Sequence, residues 1–290
     1  MIDPKNLNFP FYRPIKKELI RYIDYYYFFE SDDPAFNLSY FSFPNTNTAI
    51  NIHHSVSFDI SNSSIRIQES DHADVHIFAT QIRKEPLLVE WRGRLNKITI
   101  AFKPLGLCNF GHPGQTLTMK GQVQLFKTWE DAPGYKAFCK DIYLQTSDKE
   151  KIDVIETFLW SVFQPLPEQQ LMENAIMLLT DETNQYSIND VAALNGLHVR
   201  ALIRLFNKSL GVPPVKFKQI ARFRNSMENK LFADRLKKLT DLAYENNYYD
   251  QAYFIKVYKK LTGTRPKSFF DTIDRLSNDK LIFQFLKSTD

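Results

Sequence analysis

Residues 246–266 read NNYYDQAYFIKVYKKLTGTRP, a stretch with four tyrosines and neither a long apolar run nor a catalytic motif. Its pattern occurs twice in the chain, at a shift of 52 residues. The shift places Leu202, Leu205, Phe206, Gly211, Pro214 and Phe217 on Phe254, Val257, Tyr258, Gly263, Pro266 and Phe269. A repeat of this kind indicates one structural unit used twice.

The first copy shows how each unit is built. Upstream the shift is 51, which aligns Ile188 and the DVA at 190–192 with Leu239 and the DLA at 241–243. Ser187 can cap a first helix, with Asp190 reaching back to it. The pair Asn195-Gly196 permits the positive φ of a sharp turn, and a second helix follows from about His198. Each copy therefore reads as helix, turn and helix.

The second helix of the first copy has two distinct faces. At 100° per residue, one side collects the apolar Leu202, Leu205 and Phe206. The other side carries Arg200, Arg204 and Asn207, flanked by Ile203 and Lys208. This arrangement is typical of a helix-turn-helix, whose second helix enters the DNA major groove. Arginine suits that role because its planar fork bonds O6 and N7 of guanine together.

The quoted stretch supplies the corresponding helix of the second copy. Its aromatic residues are mostly packing, with a predicted buried stripe of Phe254, Val257, Tyr258 and Leu261. The outward positions are Ala252, Ile255, Lys256 and Lys259, with Gln251 and Tyr253 near the helix start. The segment is therefore predicted to be a second recognition helix with an aromatic core.

A single helix is predicted to join the two units. Apolar residues recur every three or four positions after Pro214, which suits a helix start. They are Phe217, Ile220, Phe223, Met227 and Leu231. A helix of about 17 residues would span roughly 26 Å. With the width of the two units added, the recognition helices would lie roughly 34 Å apart, about one turn of B-DNA. One chain should then bind an asymmetric site.

The first part of the chain has the period of strands. Apolar residues alternate up to about residue 103, which predicts a β sandwich or barrel. RYIDYYYFFE, near residue 25, is expected to be an N-terminal strand, since its acidic flanks would repel bases stacked on its tyrosines. Helical stripes follow: Ile152, Ile155 and Leu159 behind a Ser147 to Glu150 capping box, then Leu171, Ala175, Ile176 and Leu179.

These patterns predict an α+β chain of two domains, consistent with a length of 290 residues. Residues 1–180 form a β-rich sandwich-like or barrel-like sensor or dimerisation domain with following helices. Residues 181–290 form an all-α DNA-binding domain whose units cover about 186–214 and 238–270. The stretch DETNQ at 181–185 is the expected linker.

Charge and composition agree with a nucleic-acid partner for the C-terminal part. Residues 181–275 hold 17 Lys and Arg against 10 Asp and Glu, whereas residues 1–180 hold 18 against 21. A basic surplus at one end favours a polyanion partner. No apolar run is long enough for a membrane span, and no signal peptide is recognised, so a cytoplasmic location is expected. Cys108 and Cys139 have no ligand or disulfide spacing.

Enzyme motifs are absent from the sequence, and no cofactor is expected. No nucleophile motif, phosphate-binding glycine loop or carboxylate pair is present. His53 and His54 would face opposite sides of a strand, whereas His72, Asp74 and His76 at strand spacing could share a metal. Three ligands without a fourth are a weak metal pattern.

The paired units resemble the AraC/XylS family of bacterial transcription regulators. The resemblance covers about residues 186–272 and rests on FNKSLGVPP at 206–214 and QAYFIKVYKKLTGTRP at 251–266. FPNTNTAINI at 43–52 and KITIAFKPLGL at 97–107 are more weakly similar to the sensor domain of some members. The resemblance implies base-facing roles for Arg200, Ile203, Arg204, Gln251, Ala252, Ile255 and Lys256.

Four positions depart from the family pattern. His198 stands where a capping Ser is usual, and Asn247 replaces the turn Gly. Ala252 replaces a polar residue, and Lys256 replaces Arg. Ile203 and Ile255 are apolar at outward positions, where they contact thymine methyls or are ordinary exposed aliphatics. The second unit is therefore expected to read fewer bases than the first.

The sequence thus favours a sequence-specific DNA-binding transcription regulator that responds to a small-molecule effector. Its expected partners are double-stranded promoter DNA, the effector, RNA polymerase if it activates, and a second copy of itself in a homodimer, with no membrane. The effector site is unknown from the sequence. Two alternatives remain: a metal-dependent, cupin-like β-barrel enzyme with a helical appendage, and a constitutive DNA-binding protein without an effector.

Overall fold

The computed structural model describes residues 10–111, 121–228, 251–276 and 281–286. Its strands are β1 (Phe11–Tyr12), β2 (Ile23–Ser31), β3 (Asn37–Ser42), β4 (Thr48–His54), β5 (Val56–Ile60), β6 (Ser64–Glu69), β7 (Val75–Thr80), β8 (Leu87–Arg92), β9 (Leu95–Phe102), β10 (Val123–Leu125), β11 (Asp274–Leu276) and β12 (Leu281–Phe285). Short 3₁₀ helices cover Lys17–Arg21 and Gly106–Asn109.

The strands form two sheets that pack as a sandwich. One has the order β1-β2-β9-β4-β7-β10 and the other β11-β12-β3-β8-β6-β5. Neighbouring strands pair antiparallel except β6 and β8, which are parallel. In the described part of the chain neither sheet closes on itself, so the fold is an open sandwich. The expected α+β class, with strands first and helices after them, is confirmed.

Strand β2 explains the tyrosine-rich run near residue 25. Its odd and even residues face two different cores, and both faces are buried. Tyr26 and Phe28 pack with the helices that cover the first sheet. Tyr25, Tyr27 and Phe29 point between the two sheets. Because neither face meets solvent, the strand is aromatic throughout, and the prediction of a strand there is confirmed.

The helices are α1 (Tyr135–Asp141), α2 (Asp148–Ser161), α3 (Gln169–Thr180), α4 (Ile188–Leu194), α5 (Val199–Leu210), α6 (Pro214–Glu228), α7 (Gln251–Thr262) and α8 (Pro266–Thr272). The predicted capping box opens α2: Glu150 N–H donates to Ser147 Oγ at 3.3 Å, and Ser147 N–H donates to the Glu150 carboxylate at 3.2 Å. Ile152, Ile155 and Leu159 are buried as predicted. No helix in the described ranges is both long and apolar enough to cross a bilayer.

Helix α6 packs against both α5 and α7, and it begins where the spacing of the apolar residues predicts. It begins at Pro214 and is described as far as Glu228, so its predicted end near Asp234 lies outside the described residues. The first helix of the second unit, expected from about 238, also lies outside them. Phe223 of α6 packs on Tyr258 with ring centroids 5.0 Å apart, and Ser226 Oγ lies 2.7 Å from the Tyr258 hydroxyl. These contacts fix α7 against α6.

Two strands lie where the sequence analysis expects only helices. Strands β11 and β12 follow α8 and form a hairpin, and β12 pairs with β3, Phe283 opposite Ser42. The reason is visible in LIFQF at 281–285, a short segment with β propensity that covers the edge of β3. The end of the predicted all-α domain therefore belongs to the β sandwich.

The sandwich and the helical region share a hydrophobic core. Phe43, Ile82 and Leu105 of the β region belong to the same buried cluster as Leu202 and Phe206 of α5. Phe43 also meets Phe269 of α8 edge-on, with ring centroids 4.9 Å apart. A change in the sandwich can therefore reach both helical units through packed side chains.

Candidate DNA-binding surface and interior cavity

The turn between α4 and α5 has the geometry that the sequence predicts. Ser187 N–H donates to Asp190 Oδ2 at 2.8 Å, and Asp190 N–H donates to Ser187 Oγ at 3.2 Å. Gly196 has a φ of 65°, in the left-handed region that suits glycine. The capping box and the sharp turn are both confirmed. Together they set the direction in which α5 leaves the unit.

His198 caps α5 in place of the usual serine. Its imidazole Nδ1 accepts a hydrogen bond from the Arg200 backbone N–H at 3.3 Å. The residue has extended backbone angles, which an N-cap requires. The departure from the family pattern at this position therefore preserves the cap.

Replacing His198 tests the cap directly. His198→Ala is expected to lower the free energy of unfolding by about 0.5–2 kcal/mol, the usual cost of losing an N-cap, and His198→Ser should restore most of it. Thermal unfolding monitored by circular dichroism measures both. Leu194→Ala is the control, because that side chain is 61% exposed. Equal stability of His198→Ala and the parent would show that the imidazole contributes nothing to the helix start.

Helix α5 presents all of its predicted DNA-contacting residues to solvent. Leu202, Phe206 and Leu210 are buried on the opposite face. The exposed face contains no Asp or Glu, since α5 has none. One of its cations has an intramolecular neighbour: Lys208 Nζ lies 4.0 Å from Glu168 Oε1, at the limit of an ion pair. The exposed set comprises Arg200, Ile203, Arg204, Asn207 and Lys208.

Helix α7 has the same two-faced construction. Phe254, Val257, Tyr258 and Leu261 are buried, as predicted. Tyr253 Oη accepts from Gln219 Nε2 of α6 at 3.4 Å, which ties this side chain to the linking helix. Like α5, helix α7 contains no Asp or Glu. Its exposed residues are Gln251, Ala252, Tyr253, Lys256, Lys259 and Lys260, whereas Ile255, predicted to face outward, is half-buried.

The end of α5 touches the β domain. Cys108 Sγ donates to the Ser209 carbonyl at 3.1 Å. Gly211 ends the helix with a φ of 69°, and a Cβ built there would lie 2.9 Å from Gln81 Oε1. Glycine at 211 therefore serves both the helix end and the close approach of the two regions.

The histidine pattern does not assemble as a metal site. Strand β7 begins at Val75, so His72 and Asp74 precede it instead of alternating with His76 on one strand face. His76 packs edge-on against Phe58, with ring centroids 5.0 Å apart. In the described ranges no group of three His, Cys, Asp or Glu residues is placed to hold a metal ion.

A cavity of about 120 Å³ lies between the two sheets. Aromatic residues of β2, β3, β7 and β8 form much of its wall, including Tyr27, Tyr40 and Trp91. Arg224 of α6 and Phe283 of β12 complete the wall from the helical region and the C-terminal strand. The cavity thus touches the sandwich, the linking helix α6 and the C-terminal strand β12.

Three cations line this cavity. Arg83 is buried, and its Nη2 donates to Ser42 Oγ at 2.8 Å and to the Phe43 carbonyl at 2.7 Å. Lys97 is buried too, donates to Tyr27 Oη at 3.0 Å and lies 4.8 Å from the centre of the Trp91 ring. Arg224 is half-buried. The described lining contains no Asp or Glu.

Burial perturbs the titratable groups of the cavity. It is the main cause that lowers the pKa of Arg83 to about 10, and the nearby Arg224 charge acts in the same direction. Burial also lowers the pKa of His53 well below its usual value, with the Lys97 charge as a second cause. His53 is therefore neutral at pH 7, while Arg83 keeps its charge. The sequence pattern alone does not predict this site.

No protein-family model matches the chain, and no curated protein matches it. Among solved structures it is similar to ToxT from Vibrio cholerae at 1.65 Å resolution, with 12% identity, a TM-score of 0.46, and coverage of 85% of this chain and 97% of that one. ToxT from Vibrio cholerae O395 gives 14% identity, a TM-score of 0.41, and coverage of 92% and 98%. The structure of unsaturated fatty acid bound wild-type ToxT from Vibrio cholerae strain SCE256 gives 10% identity, a TM-score of 0.41, and coverage of 84% of this chain and 93% of that one. At this distance the likeness carries no inference about DNA or ligand.

Proposed function

We propose that the protein is a sequence-specific DNA-binding transcription regulator of AraC type, with a small-molecule effector site in its β domain. Residues 181–290 would supply two reading units, and residues 1–180 the sensor. The two exposed helix faces would enter successive major-groove segments on one side of the duplex. RNA polymerase contact and homodimer formation belong to this proposal as partners of the bound regulator.

One observation carries the proposal. Helices α5 and α7 each bury an apolar stripe and expose a face with two or more cations, and neither helix contains an acidic residue. A phosphate backbone would repel an acidic residue on such a face. Arg200 and Arg204 can bond guanine edges, and Asn207 can bond adenine. Two such faces on one chain, on helices that both pack against α6, are the arrangement that two segments of a DNA major groove require.

The sensor role rests on the cavity and the shared core. The cavity wall includes Arg224 of the linking helix, and the β domain packs on the end of α5 through Cys108 and Gln81. A molecule bound in the cavity would therefore act on residues that hold both units. The contact between the cavity and the linking helix favours an effector-responsive protein over a constitutive DNA-binding one.

The test is selection of bound duplexes from a random-sequence pool, followed by affinity measurement at several salt concentrations. We expect one asymmetric motif with two half-elements, and log affinity that falls with log salt by about 0.9 per phosphate contact. The segment 181–290 lacks part of the sandwich that β12 joins, so the full chain is used. Failure to enrich any motif, or an affinity that does not depend on salt, would refute sequence-specific DNA binding.

Arg204 is expected to carry base discrimination. Arg204→Ala should weaken binding to the selected site by about 1–3 kcal/mol and relax preference at one or two base pairs. Lys256→Ala should weaken binding to the selected and the random duplexes more evenly, since an ammonium is a compact charge suited to phosphate. Titrations against both duplexes measure this difference. Lys136→Ala on α1 removes the same charge from an exposed position elsewhere. If Arg204→Ala lowered the affinity for both duplexes equally, Arg204 would contact only the DNA phosphate backbone.

A further inference from the structure

A second concave surface lies outside the sandwich, where residues of both helical units meet on α6. It is an open groove of about 320 Å³, larger than the interior cavity of about 120 Å³. One face of α6 forms its floor, to which Lys218, Gln219 and Arg222 contribute. The base contacts proposed for α5 and α7 leave this floor unused.

The walls of the groove come from both units. Ser187 and Ile188, at the start of α4, form one wall. Tyr253, in the first turn of α7, belongs to the other. Gln219 Nε2 donates to Tyr253 Oη at 3.4 Å, which links the floor to this wall. A molecule bound in the groove would therefore touch both units as well as α6.

The groove is positively charged. Lys218 and Arg222 line it, and its described lining includes no Asp or Glu. Burial lowers the pKa of Lys218 and the charge of Arg222 lowers it further, whereas the Asp190 carboxylate opposes both effects. The two cations are therefore near enough to repel each other. An anion placed between them would relieve this repulsion.

The carboxylates near these cations have other partners. Asp190 is held in the capping box of α4. Asp181 and Glu182 line a separate small pocket that also includes Arg222, and both accept hydrogen bonds from asparagine side chains. Within the described ranges, no carboxylate oxygen lies within 4.0 Å of the charged nitrogens of Lys218 or Arg222. The charge of the groove therefore remains available to an external anion.

Both cations have the donors that a phosphate requires. Lys218 Nζ donates to the Tyr186 carbonyl, which holds the ammonium beside the start of α4. An ammonium has three N–H donors, so this bond leaves two for a ligand. Arg222 adds a planar guanidinium, whose fork of donors matches phosphate oxygens.

The position of the groove relies on the geometry of the helix-turn-helix. In such a unit the first helix crosses the DNA backbone, and the start of the second helix contacts bases in the major groove. The groove lies between the first helix of one unit, α4, and the start of the second helix of the other, α7. When both units occupy successive major-groove segments, the backbone of the intervening minor groove passes between them. Its phosphates are then the anions that face Lys218 and Arg222.

We propose that the groove on α6 binds the sugar-phosphate backbone between the two half-elements, with Lys218 and Arg222 each contacting a phosphate. The inference rests on the proposed function and adds a DNA contact outside the two recognition helices. Phosphate contacts fix the register of a protein on the duplex without reading sequence. The groove therefore strengthens binding to selected and random duplexes alike.

Arg222→Gln in the full chain tests the contact by its salt dependence. One phosphate contact contributes about 0.9 to the slope of log affinity against log salt, which amounts to about 8-fold in affinity at 0.1 M salt relative to 1 M. Arg222→Gln should lower the slope by about 0.9 and weaken selected and random duplexes equally, by about 8-fold at 0.1 M salt. Arg222→Lys should restore the slope. Arg92→Gln is the control, because it removes an exposed charge on β8 outside the groove.

Neutral phosphates locate the contact on the DNA. The selected duplex is synthesised with methylphosphonates, which lack the phosphate charge, between the half-elements. The parent protein should bind it about 8-fold more weakly for each contact removed, and Arg222→Gln should lose one contact fewer. A duplex with methylphosphonates outside both half-elements is the control, and it should give the same loss for both proteins. A purely structural role of Arg222 would show no such difference between the two duplexes.

Lys218→Gln is the second variant, and it should also lower the salt slope by about 0.9. Equal slopes for the parent and both variants would show that the groove does not contact DNA and would leave a protein partner as its occupant. A lower slope without dependence on the central methylphosphonates would place the contact elsewhere on the duplex. In both cases a motif is still selected, so only this inference fails. Failure to select any motif rejects the proposed function and this inference together.

Discussion

Inserting about 5 base pairs between the two half-elements of the selected site is expected to reduce affinity by about 100-fold. The insertion rotates one half-element by about half a turn of B-DNA, so α5 and α7 can no longer meet bases from one side. Loss of two base contacts at about 1–3 kcal/mol each gives a penalty near this size. Gel-shift titration of the parent and inserted duplexes measures it.

The geometry behind this expectation is the rigidity of α6. The helix carries Phe217, Ile220 and Phe223 as fully buried side chains, and it packs on both α5 and α7. An insertion of about 10 base pairs restores the face of the duplex but lengthens the site by about 34 Å, which the helix cannot span. Both insertions should therefore bind poorly, with a footprint confined to one half-element.

Two other results would contradict this geometry in different ways. If both inserted sites bind as tightly as the parent and the footprint lengthens, α6 does not hold the units at a fixed spacing. If affinity and footprint stay unchanged at every spacing, only one unit reads DNA. The first unit would then be that one, because Arg200 and Arg204 lie on α5 and the corresponding α7 positions are Ala252 and Lys256.

The helix boundaries of the first unit could be predicted because local chemistry determines them. Ser187, Asp190 and Gly196 act through backbone groups within a few residues, so the cap and the turn do not depend on distant parts of the chain. The same holds for the capping box at Ser147 and Glu150. The two faces of α5 and α7 follow from the helical period alone, and they match the burial observed except at Ile255, which is half-buried.

The cavity could not be predicted, because its residues converge only through the pairing of strands far apart in the chain. One signal was present in β9: Ile98, Ile100 and Phe102 alternate with Lys97 and Thr99. This alternation predicts a strand with one buried face, yet Lys97 and Thr99 are buried as well. Only the second sheet, which covers that face, places the lysine inside. Strand β12 cannot be predicted for a related reason, since its partner β3 lies more than 200 residues earlier in the chain.

Replacing Phe223 with alanine is expected to destroy the dependence on spacing. Phe223 is fully buried, and its ring packs on Tyr258 of α7 at 5.0 Å and on Phe269 of α8 at 6.3 Å between centroids. Its removal leaves a cavity where the linking helix meets the second unit, at a cost of about 3–5 kcal/mol. The first unit keeps its own core of Leu202 and Phe206.

The variant should therefore bind the parent site about as weakly as the parent protein binds the 5-base-pair insertion, because α7 is no longer held against α6. It should also bind both sites equally. Val215→Ala is the matched control on the same helix, since Val215 is 65% exposed and such changes stay within about 0.5 kcal/mol. Circular dichroism establishes that the variant is folded. A folded Phe223→Ala protein that still discriminates between the two spacings would show that the aromatic contact between α6 and α7 does not set the distance between the recognition helices.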